Sequence, residues 1–207
     1  FSDPRVKLAD MTGDGLQDIA LVHASRIDYW ASCGHGRWSH RRQMTIPGGL
    51  PFGFDPARIL LGDVDGDGAA DLVYVSDRET TVWINRSGDS WSDPITIRGT
   101  PEVVSTSAVR LVDLLGTGVA GILWTRDADG TGRARSHFLD LTGSHKPYLL
   151  DRIVNNMGAV TSIAYAPSTR YLLEDERRPE TRWRTQLPFP VQVVATVRVA
   201  DEISGGT

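Results

Sequence analysis

The residues best placed to do chemistry are four aspartates in one nine-residue stretch, Asp63-Val-Asp65-Gly-Asp67-Gly-Ala69-Ala-Asp71. Carboxylates fall at positions 1, 3, 5 and 9, and glycines at 4 and 6. Several carboxylates on a short glycine-bent loop, with a backbone carbonyl from the seventh position, suit a hard oxygen-seeking cation such as calcium. Asp63, Asp65, Asp67 and Asp71, with the Ala69 carbonyl, are therefore the first candidate ligand set. An EF-hand would need glutamate at the twelfth position, which here holds Tyr74, so the stretch is not an EF-hand. A second candidate set is Asp10, Thr12, Asp14 and Asp18 with the carbonyl of Leu16, Thr12 being a neutral ligand where the other loop has an aspartate. The competing reading is that Asp and Gly are simply good turn formers. Four carboxylates on one loop repel one another unless compensated, and Arg58 and Arg78 are the nearest cations in sequence.

The elements that must position these loops form a repeat. Asp10, Asp63 and Asp113 lie 53 and 50 positions apart, each between two short apolar runs that read as strands around a glycine-rich turn. The third copy keeps Asp113 but has Thr117 and Gly121 at positions 5 and 9, so it is expected to be metal-free. Trp30 and Trp83 each follow their first aspartate by 20 residues, and Trp38 and Trp91 follow eight residues later. Turn residues between them, Cys33-Gly-His-Gly36 and Asn85-Arg-Ser-Gly-Asp89, suit hairpins. In the third copy Phe138 is expected in the place of the first tryptophan, after an insertion over Asp127 to Gly132. Four short strands per fifty residues match a β-propeller blade. The fold class is thus all-β, a partial β-propeller of about three four-stranded blades (residues 1–145), followed by a β-rich extension (residues 146–207). Propellers use roughly four to eight blades, so the chain reads as a piece of a longer protein.

In the extension, residues 149–168 read as two strands around an Asn/Gly turn. The mixed-charge stretch 170–184 reads as a solvated loop, and residues 187–199 as a proline-led, valine-rich strand ending at residues 201–206. The tryptophans are expected in the core between blades. Arg37, His40, Arg41 and Arg42 read as an edge that charge protects from pairing. Cys33 and His35 at a hairpin tip lack a third partner for nucleophilic catalysis. His23, His137 and His145 show no ligand spacing.

Bulk composition fits this picture. The 207 residues carry a net charge of −4, with 23% charged and 40% hydrophobic residues, so there is no nucleic-acid footprint. The one cysteine excludes an internal disulfide, and no apolar run approaches the ~18 residues of a membrane helix.

The aspartate loops resemble the FG-GAP/VCBS repeats of integrin-type propellers, and the resemblance implies calcium at loops one and two. A closer resemblance rests on residues 8–18, the Tyr29-Trp30 and Gly34/Gly36-Trp38 pattern, residues 155–169 and Leu187-Pro-Phe-Pro-Val-Gln-Val-Val194 in that order. Together they are similar to the B component of bacterial insecticidal toxin complexes (Tc toxins) and to related Salmonella virulence plasmid B-type proteins. This implies a secreted, non-enzymatic docking and structural module. Its partners would be the pore-forming A component and the RHS-repeat component that encloses a toxic payload, with no contact to nucleic acid or membrane. The alternatives are a calcium-dependent adhesion or glycan-binding propeller, and an enzyme built on a propeller.

Overall fold

The computed structural model describes residues 2–104, 107–126, 135–185 and 187–201. The insertion at 127–132 and the chain after Asp201 lie outside the described residues. Two compact units are present, Phe1–Val112 with Ala120–Gly143, and Asp113–Val119 with Ser144–Thr207.

The first unit is built of antiparallel sheets. The first comprises β1 (Val6–Ala9), β2 (Asp18–Val22), β3 (Arg26–Trp30) and β4 (Arg42–Thr45), paired in chain order. The second comprises β5 (Ile59–Gly62), β6 (Asp71–Ser76) and β7 (Glu79–Trp83). It carries a small hairpin of β8 (Asn85–Arg86) and β9 (Ser90–Trp91), and closes with β10 (Ile95–Arg98) on β7. The third holds β11 (Ser107–Val112), β12 (Gly121–Arg126) and β13 (Arg135–Leu139). The repeat is visible in the register: Leu8↔Ile19↔Trp30, Leu61↔Leu72↔Trp83 and Leu111↔Ile122↔Leu139 are equivalent rows. Leu139, not Phe138, therefore stands in the place of the first tryptophan.

All-β blades are as expected, but the third sheet has no fourth strand among the described residues. β4 begins twelve positions after Trp30, and β10 twelve after Trp83. The same step from Leu139 leads to Asp151, the residue before β14 (Arg152–Val154), and β14 pairs with β15 (Ala159–Pro167) instead.

Alternation along the strands divides the apolar residues between two cores, one per face. Leu72, Tyr74 and Trp83 join Ile27, Tyr29 and Met44 between the first two blades, while Val73, Val75 and Val82 join Ile122 and Trp124 between the second and third. Trp83 and Trp91 are core residues as expected. Trp38 is not, at 43% exposed, because its strand is reduced to one bridge with Ser32.

Polar groups key the first two blades together. The buried Asn85 side chain donates to the carbonyls of Met11 (2.9 Å) and Ala70 (3.0 Å) and accepts from the Gly88 amide (2.8 Å). The Tyr29 hydroxyl donates to the Gly88 carbonyl at 2.6 Å. Gly88 has φ +76°, and a Cβ there would lie 2.7 Å from that hydroxyl, so the close approach needs glycine.

The second unit contains β14, β15, the helix α1 (Ser168–Glu176) and β16 (Gln192–Asp201), with β15 central in its sheet. The Asn/Gly turn falls at 155–158, where Asn155 Oδ1 accepts from the amides of Met157 and Ala159. The helix replaces part of the expected loop. Its Leu, Glu and Arg are good helix formers, and Arg170 pairs with Glu174 one turn on (3.0 Å). No described helix is long and apolar enough to cross a membrane.

Asn85→Ala would strand two carbonyls and one amide in the first core. It is expected to cost about 2–3 kcal/mol in urea unfolding, against no change for Ser87→Ala on the same hairpin.

Candidate functional site

Each glycine-rich loop is shaped first by the aspartate at its head. Asp10 accepts from the amides of Gly13 (2.8 Å), Asp14 (3.2 Å) and Gly15 (2.6 Å). Asp63 accepts from Gly66 and Gly68, and Asp113 from Thr117 (2.9 Å) and Gly118 (2.6 Å). The carboxylate thus satisfies amides that a tight turn leaves without backbone partners. Asp113 does this with no other acid in its loop.

The ninth position has a different task. Asp71, buried, accepts from the Val64 amide (2.9 Å) at the loop's second residue and from the Asn85 amide (2.8 Å) beyond β7. Asp18 does the same with Met11 (2.9 Å) and Ser32 (2.8 Å). Each ties its loop to the end of the third strand. In the third sheet the residue is Gly121, and a Cβ there would run into the Phe138 ring and the Leu139 carbonyl. The aromatic ring has taken the aspartate's space.

Burial pushes the Asp71 carboxyl up to about 7. The Asn85 and Val64 amides pull it down, and the charges of Asp65 and Asp63 add to the rise. Burial likewise raises Asp18 against the amides of Ser32 and Met11, and raises Asp67 against the amide of Ala69.

For a cation, the second loop fits in part. Asp63, Asp65 and Asp71 bring carboxylate oxygens within 4.8 Å of one another, as one hard ion requires. Asp67 is outside this group, exposed, with Oδ1 accepting from the Ala69 amide at 2.8 Å. In the first loop Asp10, Asp14 and Asp18 form no such group among the described residues. Asp14 accepts from the Leu16 amide, while the buried Thr12 hydroxyl has no hydrogen-bond partner. Arg58 pairs with Asp77 (3.0 Å) and Asp55 (3.9 Å).

Sequence reasoning missed the residues that read these loops. Asn85 was seen only as a turn former, although it sits at the place of Ser32, two after the blade tryptophan. In the second unit, Thr169 Oγ1 donates to the Gly116 carbonyl (2.8 Å) and Gln192 Nε2 to the Thr117 carbonyl (2.7 Å). The loop that keeps only its first carboxylate is also held by side-chain donors.

Between pH 4 and 7 the folded chain holds the Asp71 proton more tightly than the unfolded chain does, so stability falls as pH rises through this window in chelator. The expected loss is on the order of 2–4 kcal/mol, read from urea midpoints at pH 5 and 7.5. Asp71→Asn should remove that slope; an unchanged slope would mean that Asp71 titrates normally.

Comparison with known proteins agrees with this architecture. A family model for the insecticide toxin TcdB middle/N-terminal region matches residues 85–207, and one for an FG-GAP-like repeat matches residues 10–74. Among curated protein sequences none matches. The solved Photorhabdus luminescens Tc holotoxin pore, with a TccC3 point mutant, is similar over 99% of this chain at 30% identity and a TM-score of 0.84. TcdB2-TccC3 without its hypervariable C-terminal region is similar over 99% at 31% identity and 0.81, and TcdB2-TccC3-Cdc42 over 98% at 31% and 0.82. In each case this chain spans 10% of the solved chain. With more than half its length matched by that family model, the chain belongs to the family of the insecticidal toxin TcdB.

Proposed function

We propose that the chain is a non-catalytic docking and structural module of a secreted bacterial toxin complex. Its blades, residues 1–145, form part of the propeller that binds the pore-forming component and gates passage from an RHS-type shell. Residues 146–207 begin the region that leads into that shell. The observation that carries this reading is the similarity of nearly the whole chain, blades and extension together, to chains of Tc toxin structures. A binding role also suits a fold whose loops are fixed by backbone hydrogen bonds and whose carboxylates are spent on amides. The test is competition: the 207-residue chain should displace full-length B component from the pore-forming component. No displacement at large molar excess would overturn the docking assignment.

Calcium belongs to the same proposal as a structural ion at the second loop. Asp63, Asp65 and Asp71 would hold it, and its charge would offset their mutual repulsion. The first loop, with Thr12 at the third position, would bind more weakly. Thermal unfolding with calcium and with chelator checks this. Asp65→Ala should abolish the calcium-dependent rise in Tm, whereas Asp113→Ala should lower Tm equally in both. Equal Tm values for the parent chain in calcium and chelator would remove the ion from the account.

A further inference from the structure

Among the described residues, the third blade leaves an unpaired strand edge beside a groove with one unsatisfied indole N–H. β3 is covered by β4 and β7 by β10, but the far edge of β13 pairs with no strand among the described residues. The residues that spacing would assign to that edge are committed to β15. An open edge exposes a row of amides and carbonyls and templates the addition of another strand.

The ground next to this edge is shaped for side chains. Two adjoining cavities of 370 and 200 Å³ lie where the end of β10 meets β12 and β13, and both are lined by Trp124, His137 and Pro101. Trp124 and His137 are cross-strand partners and so share one face of the sheet. Trp124 is 3% exposed, and its indole N–H is buried without an acceptor among the described residues. A buried donor in that state is destabilising and is satisfied by an incoming acceptor.

Charge specifies the acceptor. Arg126 and Arg135 stand directly opposite each other on β12 and β13, and no carboxylate pairs with either among the described residues. Like charges directly opposite destabilise a sheet. Arg98 adds a third guanidinium, shared with Glu79 (3.4 Å), and Glu102 is the one acid on the rim among the described residues. The groove is therefore apolar at its floor and basic at its lip.

We propose that an extended peptide segment with acidic side chains on one face pairs with β13 as the missing fourth strand. Its carboxylates would meet Arg126 and Arg135, and an acceptor on it would take the Trp124 N–H. The interaction is β-strand addition, with main-chain hydrogen bonds supplying affinity and the arginines supplying selection.

The 207-residue chain can be titrated with a synthetic ten-residue peptide of alternating valine and glutamate, and with its valine–lysine counterpart. Indole fluorescence and amide hydrogen exchange at residues 135–139 provide the readouts. The glutamate peptide should bind, slow exchange in β13 and lose at least about tenfold in affinity against Arg126→Ser/Arg135→Ser. Both arginines lie at the end of the sheet, so that variant should fold; Trp124→Phe, which keeps the packing, should weaken binding a few-fold. Equal binding of the lysine peptide, binding without β13 protection, or no binding would each overturn the proposal. Peptide-independent dimerisation with β13 protected would assign the edge to a second copy and overturn it as well.

Discussion

The structure depends on carboxylates accepting backbone amide hydrogens inside tight turns. A glycine-rich turn between antiparallel strands leaves several N–H groups pointing inward with no carbonyl to meet them. Asp10, Asp63 and Asp113 gather those amides, and Asp18 and Asp71 then fasten the turn to the third strand. The blades that keep both aspartates have loops linked at the head and at the ninth position, whose aspartate is buried. The blade that has lost the second compensates with the Phe138 ring at Gly121 and with donors from Thr169 and Gln192. One geometric problem thus has an ionic solution twice and a neutral solution once. In the second loop, a carboxyl of depressed acidity sits within 4.8 Å of two others, the arrangement on which the proposed cation rests.

Between blades, apolar alternation supplies area and a few polar contacts supply alignment. Leu72 and Val73 are neighbours in sequence yet belong to different cores, because successive strand residues point to opposite faces. Sheet-to-sheet packing by valine, leucine and tryptophan alone would tolerate sliding. Asn85, held within its own blade by Ala70 and Gly88 and donating across the junction to the Met11 carbonyl, fixes the offset. The hydrogen bonds from the Ala70 amide to the Asp10 carbonyl (2.6 Å) and from the Ala120 amide to the Asp63 carbonyl (3.3 Å) repeat that offset from one loop to the next.

What the sequence disclosed was periodic, and what it concealed was not. The Asp/Gly spacing located all three turns, and the apolar runs located the strands on either side, because both follow from local backbone preference. The 1-3-5-9 pattern also singled out the loop whose Asp63, Asp65 and Asp71 converge. It could not separate Asp67, whose carboxylate turns back on its own backbone, from the three that meet. Trp38 matched Trp91 in spacing but not in burial, since burial is decided by the neighbouring blade. The helix at 168–176 was masked by a run of mixed charge that resembles a loop in composition, although its i, i+4 pairing of Arg170 and Glu174 is a helical signal. The change of partner by β14 is a choice between two sheets, and no local pattern encodes it.

The loop-to-loop hydrogen bonds give the stack a direction: the second and third repeats each donate from the eighth turn position to the carbonyl at the first position of the repeat before. Such an interface is the same at every junction, so a unit of roughly fifty codons can be duplicated or deleted in the gene without inventing new contacts. Once copied, a repeat is free to drift as long as those two backbone atoms stay in place. The third repeat, which keeps Asp113 alone of its acids yet still donates from the Ala120 amide to the Asp63 carbonyl, is what such drift leaves behind.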